Sequence, residues 1–174
     1  VNAWEKLAQR QWEEMPPLSP GTRASNKREL IEKRLLQCAK LNCDKELELK
    51  ILQKNQSSPE QVLALSKLLF LLDRYDEILP LLQKAHDRFK GDHELLDALV
   101  NELIRCGRKE EALALAWNCF EHYPDCQYGY EFLRSTARSC HQGKIYLTKA
   151  LDFLQKRLAS RDQVHSLYIL ESET

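Results

Sequence analysis

The sequence predicts an all-α protein built as a right-handed superhelix of stacked antiparallel helical hairpins. Three observations support this fold class. Glycine and proline are few, five and six in 174 residues, whereas helix-favouring Leu, Glu, Lys, Ala and Gln are abundant. Apolar residues recur at steps of three and four along most of the chain. The apolar pattern itself repeats at an interval of about 34 residues, which is typical of a recurring helical hairpin.

The first segment, residues 1–24, is predicted to be an amphipathic helix followed by a Pro-rich linker. Its apolar stripe consists of Trp4, Leu7, Ala8, Trp12 and Met15. We expect this stripe to dock on its own domain; the alternatives are a partner protein, a second copy or an upstream module. Because the chain begins at Val rather than Met, we also expect a piece of a longer protein or a processed end.

Residues 25–160 are predicted to form four hairpins. A constant shift aligns Ile31, Leu65, Leu99 and Leu133; Leu35, Leu69 and Leu103; and Leu79, Leu113 and Leu147. The units lie near 25–58, 59–92, 93–126 and 127–160. Each unit is split by a polar or Gly-containing break, so each is predicted to be two amphipathic helices.

Capping residues indicate where the helices begin. Ser58 is predicted to cap a helix with Pro59 in its first turn and Gln61 closing a capping box. Further caps are predicted at Asn26, Asp92, Asp125 and Ser160. Pro80 is expected to interrupt the second helix of its unit.

The last segment, residues 161–174, is predicted to be a capping helix that opens at the Ser160 box. Its apolar residues are Val164, Leu167, Tyr168 and Leu170. We expect them to cover the end of the stack.

The third unit carries the most regular pattern. It reads Leu96-x2-Leu99-Val100-x2-Leu103, then Ala112-x3-Ala116, then Pro124. Over residues 25–160 this resembles the tetratricopeptide repeat, in a degenerate form because Ser66 and Val100 stand where that family has a small Gly. The resemblance implies the stacked-hairpin fold and says little about function.

A second resemblance covers the run EEALALAWNCFEHYPDCQYGYEFLR. This run contains Trp117, Phe120, Pro124, Tyr130 and Leu133. It is similar to the helical region that follows the SWIM zinc finger in some bacterial proteins. The C-x-C and C-x-H ligands of that finger are absent, so the resemblance implies an accessory region of a zinc-finger, nucleic-acid-associated protein whose metal module lies elsewhere.

The six cysteines are predicted to be reduced thiols, and four of them are predicted to be packing residues. Cys38, Cys106 and Cys140 fall on one rung of the repeat, and Cys119 falls on the inner face of a second helix. The alternative is a zinc site drawn from Cys119, His122, Cys126, Cys140 and His141. Because no C-x2-C pair exists, we expect neither metal nor cofactor.

Charge and motifs favour neither nucleic-acid binding nor catalysis nor a membrane location. Lys plus Arg and Asp plus Glu balance at 26 each, so no net positive field favours nucleic acid. No stretch has the roughly 18 apolar residues of a membrane span, and no signal peptide is visible, so we expect a cytoplasmic protein. No motif supplies a nucleophile, an acid/base pair or a phosphate-binding loop, so no catalytic residue is predicted.

The predicted function is therefore non-enzymatic binding of a protein or peptide in a concave groove formed by the first helices. The predicted groove residues are Lys33, Lys67, Phe70, Asn101, Ile104, Arg105, Tyr128, Glu131 and Arg138. Apolar groups mixed with cations suit a peptide with hydrophobic anchors and acidic groups. The alternative is that Phe70 and Ile104 pack between hairpins while the charges are solvated. The oligomeric state stays open.

Overall fold

The computed structural model describes residues 3–18, 22–124 and 126–159. Within these residues the chain forms nine α-helices and one 3₁₀ turn at Tyr75–Glu77. The helices are α1 (Ala3–Glu14), α2 (Asn26–Leu41), α3 (Lys45–Lys54), α4 (Pro59–Leu71), α5 (Ile78–Arg88), α6 (His93–Arg105), α7 (Lys109–His122), α8 (Gln127–Ser139) and α9 (Gly143–Ala159). The predicted all-α class is confirmed.

The chain divides into two compact units, Val1–Ala98 and Leu99–Thr174, with the boundary inside α6. In the first unit each of the helices α1 to α4 packs on the next one along the chain. In the second unit α8 packs on both α7 and α9. None of the helices in the described ranges has the length and apolar content needed to cross a bilayer.

The sequence repeat appears in the backbone of the hairpin turns. In each turn an N–H bonds the carbonyl five residues earlier, a helix-ending arrangement that satisfies an otherwise unpaired carbonyl. These bonds join Asp44 N to Ala39 O, Arg74 N to Leu69 O, Arg108 N to Leu103 O and Gln142 N to Ala137 O, at 2.8–3.0 Å. The residues just before the donors have positive φ, and they are Cys43, Asp73, Gly107 and His141. The last three are evenly spaced at the repeat interval, whereas Cys43 departs from it because α2 has 16 residues and α4 has 13.

The predicted caps are confirmed in part. Asp92 caps α6 as expected, because its Oδ1 accepts a hydrogen bond from the third helical residue at 2.9 Å. Ser25, and not Asn26, caps α2, since its Oγ accepts from the third residue of that helix at 3.3 Å. Asp125 and Ser160 lie outside the described residues.

Two expectations about the second hairpin are wrong in detail. Ser58 precedes α4, but its side chain makes no capping bond; Gln61 Oε1 instead accepts from Ser57 Oγ at 2.9 Å. Pro80 does not interrupt a helix, because α5 begins at Ile78 and Pro80 is its third residue. A backbone N–H in the first turn has no helical acceptor, so proline is tolerated there.

The leucines at equivalent repeat positions on the first helices belong to the buried core. Leu65, Leu69, Leu99, Leu103 and Leu133 are all buried. Among the three aligned leucines of the second helices, Leu113 is buried, whereas Leu79 and Leu147 are half-buried. The repeat therefore identifies packing positions more reliably on the first helix of each hairpin than on the second.

The cysteine prediction is wrong for Cys106. Cys140 is buried beneath Leu113, and its Sγ lies 4.0 Å from the Lys109 carbonyl oxygen. Cys106 is exposed in the turn after α6, with its Sγ 3.8 Å from Glu102 Oε1. Cys38 and Cys119, the other two predicted packing cysteines, are half-buried. An equivalent position in the repeat thus predicts where a cysteine lies along the hairpin. It does not predict whether a neighbouring side chain covers the thiol.

Helix α1 docks in cis through its C-terminal half. Ala8 and Trp12 are buried against Ile31, Leu35 and Ile51, so the expected docking is confirmed for this half. At the other end of the predicted stripe, Trp4 and Leu7 are exposed. The stripe is therefore only half used within its own unit.

A buried polar network joins three elements of the first unit. Asn55, just after α3, donates from Nδ2 to Glu32 Oε2 on α2 at 2.5 Å. Gln61 of α4 donates to the other carboxylate oxygen at 3.4 Å. Burial raises the pKa of the Glu32 carboxyl above its ordinary value of 4.5, although the Asn55 hydrogen bond and the Arg28 charge oppose the shift.

Candidate functional site

The predicted groove residues fall in both units. Lys33 of α2, with Lys67 and Phe70 of α4, lie in the first unit and are exposed. The Phe70 ring makes an edge contact with Tyr75 at 5.3 Å between centroids. These three side chains therefore face solvent, as a binding role requires. They do not line a common pocket among the described residues.

The α6 members of the predicted set are used mainly within the fold. Asn101 is exposed. Ile104 is half-buried and packs on the cluster of Leu113, Ala137 and Cys140, as the packing alternative expected. The Arg105 guanidinium donates two hydrogen bonds to the buried Glu102 carboxylate, at 2.8 and 2.5 Å.

The α8 members include two that the fold brings together. Tyr128 is half-buried and stacks on Phe132, with 5.7 Å between ring centroids and 9° between planes. Glu131 and Arg138 line one open hollow of about 450 Å³ together with Arg134 and Ser135. These four residues, which we call the α8 hollow, share a face because they are three, four and seven positions apart on one helix.

Two residues of the α8 hollow make hydrogen bonds within α8. Glu131 accepts from Gln127 Nε2 at 2.8 Å, and Ser135 Oγ donates to the Phe132 carbonyl at 3.0 Å. Arg138 is exposed and forms no salt bridge with any side chain in the described ranges. The exposed Arg138 guanidinium thus lies on the same helical face as a carboxylate that already accepts a hydrogen bond, and an acidic group is the ligand that a guanidinium favours.

A deeper cleft of about 560 Å³ lies between α8 and α9. Its apolar lining residues are Tyr130, Leu133, Ala137, Ile145, Tyr146, Leu147 and Ala150. Arg134, Arg138, Lys144 and His141 also line it, and none of its described lining residues is acidic. We call this surface the α8–α9 cleft. It shares both arginines with the α8 hollow, so one helix supplies cations to two adjacent surfaces.

Sequence reasoning missed Arg134, Lys144 and Ile145. The groove was predicted only from positions equivalent between repeats on the first helices, whereas the cleft lies between the first and second helix of one hairpin. The sequence signal for this cleft was the apolar Ile145 next to Lys144 at the start of α9. The structure shows that Ile145 is 65 % exposed.

The residues of the zinc alternative do not assemble in the part of the chain that the structure describes. No three His, Cys, Asp or Glu side chains there are grouped as a cation site. His122 Nδ1 lies 2.8 Å from the Asn118 carbonyl oxygen of its own helix. Burial raises the pKa of the Cys140 thiol above its ordinary value, which disfavours the thiolate that a metal would need.

No protein-family model matches this chain, and no curated protein is significantly similar to it. The two surfaces on α8 are therefore the observations that bear on function.

Proposed function

We propose that this chain is a non-enzymatic protein–protein interaction domain of the tetratricopeptide-like class, and that α8 presents its recognition surface. The evenly spaced turns at Asp73, Gly107 and His141 support the repeat class. The observation that carries the binding function is the α8 hollow, where the exposed Arg138 lies on the same helical face as Glu131 and Ser135. The SWIM-associated alternative has no supporting observation among the described side chains.

The partner is a peptide or helix that carries acidic groups. Guanidinium groups bind carboxylates with two parallel hydrogen bonds, which gives specificity as well as attraction. The half-buried Tyr128 ring, which stacks on the buried Phe132, supplies apolar surface on the same helix. The ligand chemistry is therefore acidic with an apolar anchor, in line with the expectation from the sequence.

Selection of a random peptide library on the immobilised full chain tests the proposal. We expect enriched peptides to contain several Asp or Glu residues next to an apolar residue. The affinity of the best peptide is then measured by fluorescence anisotropy. Arg138→Glu should weaken it about tenfold, equivalent to about 1.4 kcal/mol, because an attractive charge becomes repulsive. A selection that enriches no acidic peptide contradicts the proposal.

Three further variants test whether the hollow itself governs binding. Glu131→Lys removes the carboxylate found among the described residues of the hollow and should increase the affinity for acidic peptides by a similar factor. Lys156→Glu makes the same charge change at an exposed site on α9 outside the hollow, and should alter the affinity less than about twofold. Lys144→Glu changes only the cleft and should also have little effect. Equal losses in Arg138→Glu and Lys156→Glu would mean that net charge, and not this surface, governs binding.

A further inference from the structure

An open apolar surface lies on the first unit, where α1 packs on α2. Trp4 of α1 with Leu30 and Leu41 of α2 line a hollow of about 560 Å³ there, and these residues are 45, 62 and 77 % exposed. Leu7, also exposed, lies one turn from Trp4 on α1. These four are half of the exposed large apolar residues in the described part of the chain. Their concentration in one place indicates a docking surface, which we call the α1–α2 surface.

The two exposed leucines form a strip along α2. The residues of α2 that line the hollow on this strip are Leu30, Arg34, Gln37 and Leu41. They are three or four positions apart, so they share one side of the helix. At about 1.5 Å per residue, Leu30 and Leu41 are roughly 16 Å apart along the helix axis. Helix α2 therefore presents its apolar strip lengthwise.

The exposed part of α2 is positively charged, although the whole chain has balanced charge. Its exposed cationic residues are Lys27, Lys33, Arg34 and Lys40. Its exposed acidic residue is Glu29, since Glu32 is buried. None of the four cations forms a salt bridge with a side chain of the described ranges. The described lining of the hollow includes Arg34 and no acidic residue. An occupant of this surface must therefore carry negative charge beside its apolar part.

We infer that the α1–α2 surface docks on the face of an anionic phospholipid bilayer. Leucine and tryptophan side chains enter the boundary between headgroups and acyl chains, while lysine and arginine side chains contact the anionic headgroups. Such docking uses one leaflet and needs no helix that spans the membrane. A second copy of the chain fits less well, because a symmetric contact through this face would bring the cations of α2 against the same cations of its mate.

The arrangement of the cations favours a flat anionic surface over a single acidic helix. At about 100° per residue, Lys27 lies on one side of the line from Leu30 to Leu41, and Lys33 and Lys40 lie on the other. Long lysine side chains on both edges of an apolar strip can reach the headgroups of one plane together. A helix about 10 Å wide laid along the strip covers less of this breadth.

Co-sedimentation of the full chain with lipid vesicles tests the inference. At an ionic strength of about 0.1 M, the chain should partition at least about tenfold more strongly onto phosphatidylcholine vesicles with about 30 % phosphatidylserine than onto pure phosphatidylcholine vesicles. Lys33→Glu combined with Arg34→Glu should reduce the partition onto the anionic vesicles at least about tenfold. Lys84→Glu combined with Arg88→Glu is the matched control, because it makes the same charge change at exposed sites on α5 of the same unit; it should change the partition less than about twofold.

A second pair of variants tests the apolar part of the surface. Leu30→Ser combined with Leu41→Ser keeps every cation and should still reduce the partition about tenfold, because less apolar area enters the bilayer. Leu71→Ser combined with Ile145→Ser removes two equally exposed apolar residues elsewhere and should have little effect. Circular dichroism should show that all four variants stay folded, since the replaced residues are exposed.

Four results would overturn the inference. They are absence of binding to the anionic vesicles, equal binding to neutral vesicles, equal losses in a variant and its control, and an unchanged partition in Leu30→Ser with Leu41→Ser. A dimer in light scattering that dissociates in the leucine variant would instead assign the surface to a second copy. None of these measurements uses a peptide ligand, so their outcome is separate from the function proposed for the α8 hollow.

Discussion

Replacing Trp12 by alanine should undock α1 and destabilise the first unit. The Trp12 side chain is 4 % exposed and packs on Ile31, Leu35 and Ile51. The Arg28 guanidinium lies 4.9 Å from its ring centroid and the Lys54 ammonium 5.9 Å. Both cations are therefore within the range at which an aromatic face attracts positive charge.

The same two cationic side chains donate hydrogen bonds to the backbone near Trp12. Lys54 Nζ donates to the carbonyl oxygens of Trp12 and Glu13, at 2.7 and 2.9 Å. Arg28 donates to the carbonyl oxygens of Pro16 and Lys54, at 2.5 and 3.3 Å. The Trp12 indole thus covers the Lys54 and Arg28 side chains that donate to carbonyl oxygens at and just after the end of α1. Loss of the indole would expose these hydrogen bonds to water.

The magnitude follows from burial. Truncation of a buried aromatic side chain to alanine costs about 3–5 kcal/mol, and each cation over the ring adds about 0.5–2 kcal/mol to what such a residue contributes. One term offsets this, because Trp12 Nε1 is buried and bonds no atom of the described residues. An unpaired buried donor costs about 1–3 kcal/mol. The cation contributions and this cost are similar in size and opposite in sign, so we expect a net loss of at least about 3 kcal/mol.

Urea unfolding followed by circular dichroism at 222 nm measures this loss. With a denaturant slope of about 1–3 kcal/mol per molar, a loss of about 3 kcal/mol lowers the midpoint by roughly 1–3 M. Trp4→Ala on the same helix is the matched control; because Trp4 is 45 % exposed, its replacement should cost less than about 1 kcal/mol. Trp12→Phe keeps an aromatic ring and removes the unpaired N–H, so it should lie between the two. Equal midpoints for Trp4→Ala and Trp12→Ala would refute the docked position of α1.

Three other predictions follow from the described contacts. Asn55→Ala should cost about 1–3 kcal/mol of unfolding free energy, because it leaves the buried Glu32 carboxylate without its closest donor; a midpoint unchanged in urea would contradict the network. Since burial raises the pKa of Glu32, its contribution to stability is complete below pH about 4.5 and is lost as the pH rises through the raised value. The stability of the unaltered protein relative to Glu32→Gln should therefore fall between pH 4 and 7, whereas relative to the exposed control Glu46→Gln it should show no such fall. Gly129→Ala should destabilise the second unit by about 1–3 kcal/mol, because the added Cβ would lie 3.0 Å from a backbone carbonyl oxygen. At Gly143 the nearest atom is the flexible Arg138 side chain at 3.4 Å, so Gly143→Ala should change the melting temperature little.

The repeat could be read from the sequence because it depends on local rules. A helical hairpin needs apolar residues at fixed steps and a turn that ends the first helix, and both recur at a constant interval from Asp73 onward. The first hairpin was also predicted, but its turn at Cys43 departs from the constant interval because α2 extends further before it ends. An added turn of helix preserves the apolar stripe. Ile31 and Leu35 therefore keep the repeat positions of Leu65 and Leu69, and both are buried.

The site was harder to predict because exposure depends on neighbours that the pattern does not specify. Glu131 and Arg138 were identified from their spacing on α8, and the hollow brings them together. Ile104 was assigned to the same surface but packs inside its unit. A helical period gives the direction of a side chain around its own axis. It does not give the distance to the next element, and that distance distinguishes a core position from a groove.

A helical hairpin buries its apolar face against the element beside it. In the first unit α1 is that element for the hairpin of α2 and α3, since Ala8 and Trp12 close the face formed by Ile31, Leu35 and Ile51. In the second unit the α8–α9 cleft is a mainly apolar surface on the hairpin of α8 and α9. The apolar pattern of the sequence is similar in both hairpins, and only the packing of a neighbouring element distinguishes a closed face from a cleft.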